Sequence, residues 1–299
     1  MIMKNNFTEL IGKNLGKLKS YLKNNKIEAY RIVNYQPYAT PFAVDIYLDN
    51  AVIHVFEQPE PSDTNALEEA IKETLGIKEF FYKNRTKDEF SLPKSTPKKI
   101  TINEYGNKFL INLSDYLDTG IFLDHRETRK WIGSLSKEKS ILNTFAYTSS
   151  FSVYAAQGGA KKTHSVDLSK TYCEWTKKNF ELNKMSLEDN WVLKMDTREY
   201  FKYAKKKNLK FDIIILDPPT FSRNKGFSFS VQKDHPALIE DAFEILNPNG
   251  FILFSNNYKE FEMSEEVLGK YKVLEKTDSI PPDFEESWPH LCYVIKLPI

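Results

Sequence analysis

The run Phe211-Asp212-Ile213-Ile214-Ile215-Leu216-Asp217-Pro218-Pro219-Thr220-Phe221 joins an apolar stretch to an acid, two prolines and an aromatic. A short apolar run of this kind reads as a buried strand, which would deliver Asp217 to its carboxyl edge. The prolines fix φ and offer no N–H, so the backbone that follows is stiff. Such a turn holds one face of a planar ring without rearranging, and Phe221 is placed to stack on it. The competing reading is an acid-bearing turn that merely ends a strand.

Two more acids stand at expected strand ends, Asp167 after Lys162–Val166 and Asp196 after Trp191–Met195. A carboxylate at the first position can accept hydrogen bonds from both hydroxyls of a ribose. Asp167 and Ser169 suit a helix cap equally well, and Asp196 invites the same alternative. Three ligand-competent acids at successive strand ends are harder to explain as independent caps. A fourth candidate is Phe145-Ala146-Tyr147-Thr148-Ser149-Ser150, a strand-to-helix turn whose backbone N–H groups could hold an anionic group. Its small residues allow close approach of a ligand, or simply tight packing.

These residues need a scaffold, and from Ile141 onward short apolar strands alternate with helices. Strands are expected at Ser140–Phe145, Lys162–Val166, Trp191–Met195, Phe211–Leu216 and Phe251–Ser255, with helices at Phe151–Gln157, Lys170–Asn183, Thr197–Lys207 and His235–Leu246. Repeated strand-helix units imply an α/β fold, a mainly parallel Rossmann-like sheet covered on both faces. Ligands of such sheets sit outside the carboxyl ends of the strands. Upstream, Phe7, Leu10, Ile11, Leu15, Leu18 and Leu22 recur at helical spacing, a cap or a mobile arm over residues 1–28. Residues 29–113 read as a small α+β domain, with a helix at Ser62–Leu75 capped by Asp63 or Thr64, and residues 114–299 as the larger domain.

Hydrophobic residues at 41% and charged residues at 28% exclude a disordered chain. The formal net charge is only +1, so any surface for a polyanion must come from uneven distribution. Six lysines oppose Glu9 between Met1 and Lys26, and six basic residues oppose Asp88 and Glu89 between Lys83 and Lys99. Lys202, Lys205, Lys206, Lys207 and Lys210 form a third group. Each run alone reads as a solvated face; three together point toward a nucleic acid. No leader-like or membrane-spanning stretch is evident, and no membrane partner is expected. Cys173 and Cys292 lack metal-ligand spacing, so no metal is expected, and their number fits a reducing cytoplasm with one disulfide as the alternative.

Several stretches together resemble the RlmI-like group of bacterial ribosomal RNA methyltransferases. They are Asn112 to Arg126, Phe145 to Thr148, Val166 to Trp175, Asp217 to Ser222, Val231 to His235 and Phe254 to Asn257. Within the group, Asp-Pro-Pro-Thr-Phe-Ser with Ser-Asn-Asn is similar to the RlmK branch, the guanine-N7-methylating half of a fused 23S ribosomal RNA enzyme. The resemblance implies a class I fold and S-adenosylmethionine as cofactor. It assigns Asp167 to the ribose, Asp196 to the adenine amino group and Asp217 to the methionine amino group, with Leu168 also at the cofactor. Phe145, Tyr147, Thr148 and Ser149 would form the cofactor loop. Asp124 and Arg126 would line the pocket, with Arg126 suited to the methionine carboxylate. Asp217, Pro218 and Pro219 would frame the reacting centre, and Thr220, Phe221, Asn256 and Asn257 would meet the base. Ser149 stands where the family has glycine, and the family's partner half with its RNA-binding module is not among these residues, so substrate recruitment is expected to differ.

Methyl transfer needs a nucleophile in line with the S–CH3 bond and draws its rate from positioning. Guanine N7 carries its own lone pair and requires no base. Cytosine C5 requires a cysteine nucleophile, and neither cysteine is expected beside the Asp-Pro-Pro turn or the Ser-Asn-Asn strand end. The remaining alternatives are methylation of an exocyclic amine or a protein side chain, and a binding module without turnover.

Overall fold

The computed structural model describes residues 4–36, 40–88, 90–93, 95–224, 227–276, 280–285, 287 and 289–298. The chain divides into two compact units, Met1–Asp124 with Pro281–Ser287, and His125–Ile280 with Trp288–Ile299. The break falls at Asp124 rather than at 113, and a later segment returns to the first unit.

The first unit holds α1 (Lys4–Asn25), β1 (Ala29–Val33), β2 (Phe42–Tyr47), β3 (Asn50–Val55), α2 (Pro61–Leu75), β4 (Glu79–Asn84), β5 (Lys99–Glu104) and β6 (Asn107–Asn112). Its four-stranded sheet runs β1-β2-β3-β4, and β5 pairs with β6. Phe7, Ile11, Leu18 and Leu22 of α1 lie in one core cluster with Val44 and Ile53 of the sheet and Leu67 of α2. The first helix is therefore integral to this unit, because its apolar stripe needs a partner surface. Its lysines at 13, 17, 19 and 23 are exposed, as is Lys26 just beyond its end. Lys83, counted in the second basic run, is buried instead. Its Nζ donates to the carbonyls of Ser114 and Tyr116, and burial lowers its pKa to about 8. Met1, Glu89 and Lys94 of the basic runs lie outside the described residues. No side chain caps α2 at Glu60, contrary to the expectation for Asp63 or Thr64; Pro61 starts the helix and Asp63 lies within its first turn.

The second unit holds α3 (Arg126–Leu135), β7 (Ser140–Thr144), α4 (Ser150–Gln157), β8 (Lys162–Asp167), α5 (Lys170–Leu182), β9 (Asn190–Lys194), α6 (Thr197–Lys206), β10 (Phe211–Leu216), β11 (Phe221–Asn224), β12 (Phe227–Ser230), α7 (Val231–Phe243), β13 (Leu246–Asn256), α8 (Glu265–Lys270), β14 (Lys272–Glu275) and β15 (Leu291–Lys296). Its seven-stranded sheet has the order β14-β15-β13-β10-β7-β8-β9. β7 to β10 and β13 pair in parallel, and β15 runs antiparallel to β13. The chain leaves β7 toward β9 and then crosses to β10 on β7's other side, so the order reverses between β7 and β10. Along β10, Ile214 and Leu216 enter one core cluster while Ile213 and Ile215 enter another. That is why the strand reads as a continuous apolar run: both faces are covered.

Helix α7 begins at Val231, four residues before the expected start at His235, with Pro236 inside it. Proline leaves the Gln232 carbonyl without its helical donor, and His235 Nδ1 lies 3.0 Å from that oxygen. His235 Nε2 accepts from the Ser264 N–H at 3.0 Å, which makes Nδ1 the donor. No helix among the described residues is long and apolar enough to cross a membrane.

Candidate functional site

Within the second unit, the carboxyl ends of β7, β8, β9, β10 and β13 bring together most of the residues singled out in the sequence. Thr144 Oγ1 donates to the Ile215 carbonyl at 2.8 Å and ties β7 to β10 where the order reverses. The loop after β7 is unusual in its backbone. Phe145, Tyr147 and Ser149 all have positive φ, at 51°, 51° and 60°. This left-handed region disfavours residues with a Cβ, so the conformation must be held by its surroundings.

Helix α5 and strand β8 provide the hold. Asn179 Nδ2 donates to the Thr148 carbonyl at 3.0 Å, and Thr176 Oγ1 to the Tyr147 carbonyl at 3.3 Å. The Ser149 hydroxyl, fully buried, lies 2.8 Å from Thr176 Oγ1. Three loop N–H groups expected to face an anion are already committed: Ala146 donates to Val166 O, Tyr147 to Asp167, and Ser149 to Ala146 O. The loop's own fold consumes them.

Asp167 accepts the N–H of Tyr147 through Oδ2 and that of Ser169 through Oδ1, both at 2.8 Å. Burial raises its pKa above the ordinary carboxylate range. The cap of α5 is Ser169, which accepts from the Tyr172 N–H. Leu168 is exposed beside Asp167. Asp196 does cap a helix: Oδ1 accepts from Arg198 at 2.9 Å and Glu199 at 3.4 Å at the start of α6.

At the end of β10, Pro218 is buried, Pro219 is exposed and Asp217 is partly buried. Behind the carboxylate stands His125, with Nε2 3.9 Å from Asp217 Oδ2 and 3.2 Å from Ser255 Oγ. His290 stacks on His125 with ring centroids 3.8 Å apart. Arg126, next in the chain, is fully buried, whereas Asp124 belongs to the first unit.

Thr220 Oγ1 donates to Asn257 Oδ1 at 2.7 Å, which joins the Asp-Pro-Pro loop to the Ser-Asn-Asn strand end. Asn256 Oδ1 accepts the Tyr258 N–H at 3.0 Å, while its Nδ2 is buried and has no hydrogen-bond partner among the described residues. Each asparagine was expected both to donate and to accept; both carbonyl oxygens are in use, and of the two amides only that of Asn257 belongs to an exposed residue. Phe221 is 68% exposed.

Sequence reasoning missed the β11–β12 hairpin and what it carries. Phe229 packs against Phe145 of the β7 loop at 6.1 Å and lies under Arg198 at 5.8 Å, and Arg198 pairs with Asp234 at 3.4 Å. Only the alternating aromatics of Phe227-Ser-Phe229-Ser hinted at it. Cys292 was also misplaced: it is the register partner of Ser255, because β15 returns to pair with β13. It is buried in an apolar cluster with Ile132, Phe151 and Leu253. Neither cysteine is in a disulfide.

A sheet that reverses at a central strand and presents acids along its carboxyl edge is the α/β arrangement in which nucleotide ligands lie outside the strand ends. The S-adenosylmethionine-dependent methyltransferase family matches residues 79–281, and the chain belongs to that family. Its methyl donor is S-adenosylmethionine. The ribosomal RNA large subunit methyltransferase K of Neisseria meningitidis serogroup B is 37% identical over 306 residues, covering 97% of this chain and 86% of that protein. The ribosomal RNA large subunit methyltransferase K/L of Marinomonas sp. is 36% identical over 97% of this chain, which spans 42% of that protein. Among solved structures, SMU.776, described as a methyltransferase complexed with SAH, has a TM-score of 0.88 and 30% identity over 99% of this chain and 82% of that one.

Proposed function

We propose that the protein methylates large-subunit ribosomal RNA in the cytoplasm, at N7 of a guanine. The observation that carries this reading is the exposed Phe221 ring, set between the Asp217-Pro-Pro turn and a strand end tied to it through Thr220 and Asn257. Exposed aromatics beside a rigid turn suit a base taken out of its stack. The names of the relatives at 37% and 36% identity support ribosomal RNA as the substrate. The exposed lysines of α1 offer contacts to its phosphates.

The donor set at the strand ends fits the cofactor. The half-buried Asp167 suits the ribose hydroxyls, Asp196 the adenine amino group and Asp217 the methionine ammonium, with the loop from Phe145 to Ser149 as the wall and Leu168 beside the ribose. The bound cofactor supplies an electrophilic methyl group. The residues of the chain supply alignment: Pro218 and Pro219 keep the turn stiff, Phe221 supports one face of the base, and the exposed Asn257 amide donates to its edge. Guanine presents two acceptors, N7 and O6, on its major-groove edge, whereas adenine places an amino donor where O6 would be. Asn257, exposed and with its carbonyl held by the Thr220 hydroxyl, offers a donor and so favours guanine.

The test is nucleoside mass spectrometry of large-subunit ribosomal RNA from cells lacking the gene, with restoration by purified protein and S-adenosylmethionine. Loss and recovery of one 7-methylguanosine is the expected result. Recovery of a methyl group on another base or on protein would replace this reading.

A further inference from the structure

We infer that Tyr258 is a positioning residue for the target base, acting through Phe221; the inference rests on the base-stacking reading above. Phe221 opens β11 directly after the rigid turn and is 68% exposed, so few of the described residues confine its ring. Tyr258 meets it edge-on, with centroids 6.2 Å apart and planes inclined by 65°. An edge-to-face contact fixes one ring against another while leaving the opposite face open for stacking.

Tyr258 is itself tied down from two directions. Its N–H is held by Asn256 Oδ1 at 3.0 Å, a turn in which an asparagine side chain bonds the backbone two residues on. Its hydroxyl donates to Glu260 Oε2 at 3.0 Å. Between them, Asn257 is clamped to Thr220, the residue next to Phe221. Asn256, Asn257 and Tyr258 thus make one tie each, to their own backbone, to the opposite loop and to the exposed ring. The arrangement orders Phe221 before the base arrives, which removes a cost that binding would otherwise carry.

The test compares Tyr258→Ala, Tyr258→Phe, Phe221→Ala and the double alanine variant. The readouts are kcat/KM for transfer to unmodified large-subunit ribosomal RNA and Kd for S-adenosylmethionine. Tyr258→Ala should lower kcat/KM for RNA by roughly 3- to 10-fold, the range of one edge-to-face contact, with cofactor Kd unchanged. Tyr258→Phe, which keeps the ring edge and the Asn256 tie and loses only the Glu260 contact, should be more active than Tyr258→Ala. The double variant should be no worse than Phe221→Ala, because Tyr258 has nothing left to position. Normal activity in Tyr258→Ala, multiplicative losses in the double variant, or a Tyr258→Phe no more active than Tyr258→Ala would each overturn the inference while leaving the stacking role of Phe221 intact. Full activity in Phe221→Ala would overturn both.

Discussion

Tyr147 donates its backbone N–H to Oδ2 of Asp167 over 2.8 Å, so the acid at the end of β8 and the loop after β7 are one unit. A carboxylate read from sequence as a ligand group is also the strut of the wall beside it. The other oxygen performs the same service for Ser169.

Replacing Asp167 by alanine should therefore weaken cofactor binding through two routes, lost ribose contacts and a loosened loop. Losing about 1 to 3 kcal/mol of hydrogen bonding corresponds to about a 5- to 150-fold rise in Kd. Titration calorimetry with S-adenosylhomocysteine measures it, and an unchanged Kd would remove Asp167 from the site.

The same residue sets a pH dependence. Burial raises the Asp167 pKa, so on acidification the folded chain takes up this proton before the unfolded chain does. This group then favours the folded state as pH falls, while a protonated carboxyl accepts ribose hydroxyls poorly. Affinity for S-adenosylhomocysteine should drop on acidification at a pH above the ordinary aspartate range. An Asp167→Asn variant should lack that titration and bind weakly at every pH.

Ser149 combines a left-handed backbone with a buried hydroxyl bonded to Thr176. Ser149→Gly relieves strain of about 1 kcal/mol and forfeits a hydrogen bond of similar worth, so its stability should lie near that of the parent. Ser149→Ala keeps the strain and loses the bond, and should be about 1 to 2 kcal/mol less stable. Urea unfolding of the two variants separates these terms; equal losses would show that φ at this position is not limiting.

His164 lies buried, stacked on Trp191 with its Nδ1 against the Tyr200 hydroxyl, and burial lowers its pKa from 6.5 to about 4. Between those values the unfolded chain binds a proton that the folded chain does not. Stability should fall as pH drops from 6.5 toward 4, by roughly 3 kcal/mol in all. Urea midpoints at pH 7 and pH 5 measure the trend, which His164→Gln should flatten.

Substituting both cysteines by serine should leave methyl transfer largely intact. Burial pushes the Cys173 thiol pKa up, which keeps thiolate scarce, and Cys292 faces apolar neighbours despite its place beside Ser255. The hydroxyl at 292 should cost about 1 to 3 kcal/mol of stability. Activity abolished in a folded variant that still binds S-adenosylmethionine would restore the covalent C5 mechanism.

What the sequence made legible were features written locally. The bounds of β10 follow from an apolar run stopped by Asp217 and two prolines, and the α/β alternation follows from helical and strand periods in turn. Features that depend on distant returns of the chain were hidden. Cys292 meets Ser255 through an antiparallel pairing that no local pattern announces. Phe229 reaches Phe145 through a hairpin of two short strands, and His290 reaches His125 across most of the domain's length. Lys83 looked like solvated charge because composition does not reveal that the Ser114 and Tyr116 carbonyls await it.

The three left-handed residues at 145, 147 and 149 have a thermodynamic consequence. A loop whose shape is imposed by α5 and β8 during folding has little conformational freedom left to surrender to a ligand. Cofactor association should then resemble the filling of a finished mould, with a heat-capacity change set by the apolar surface covered and no added increment from ordering of the backbone.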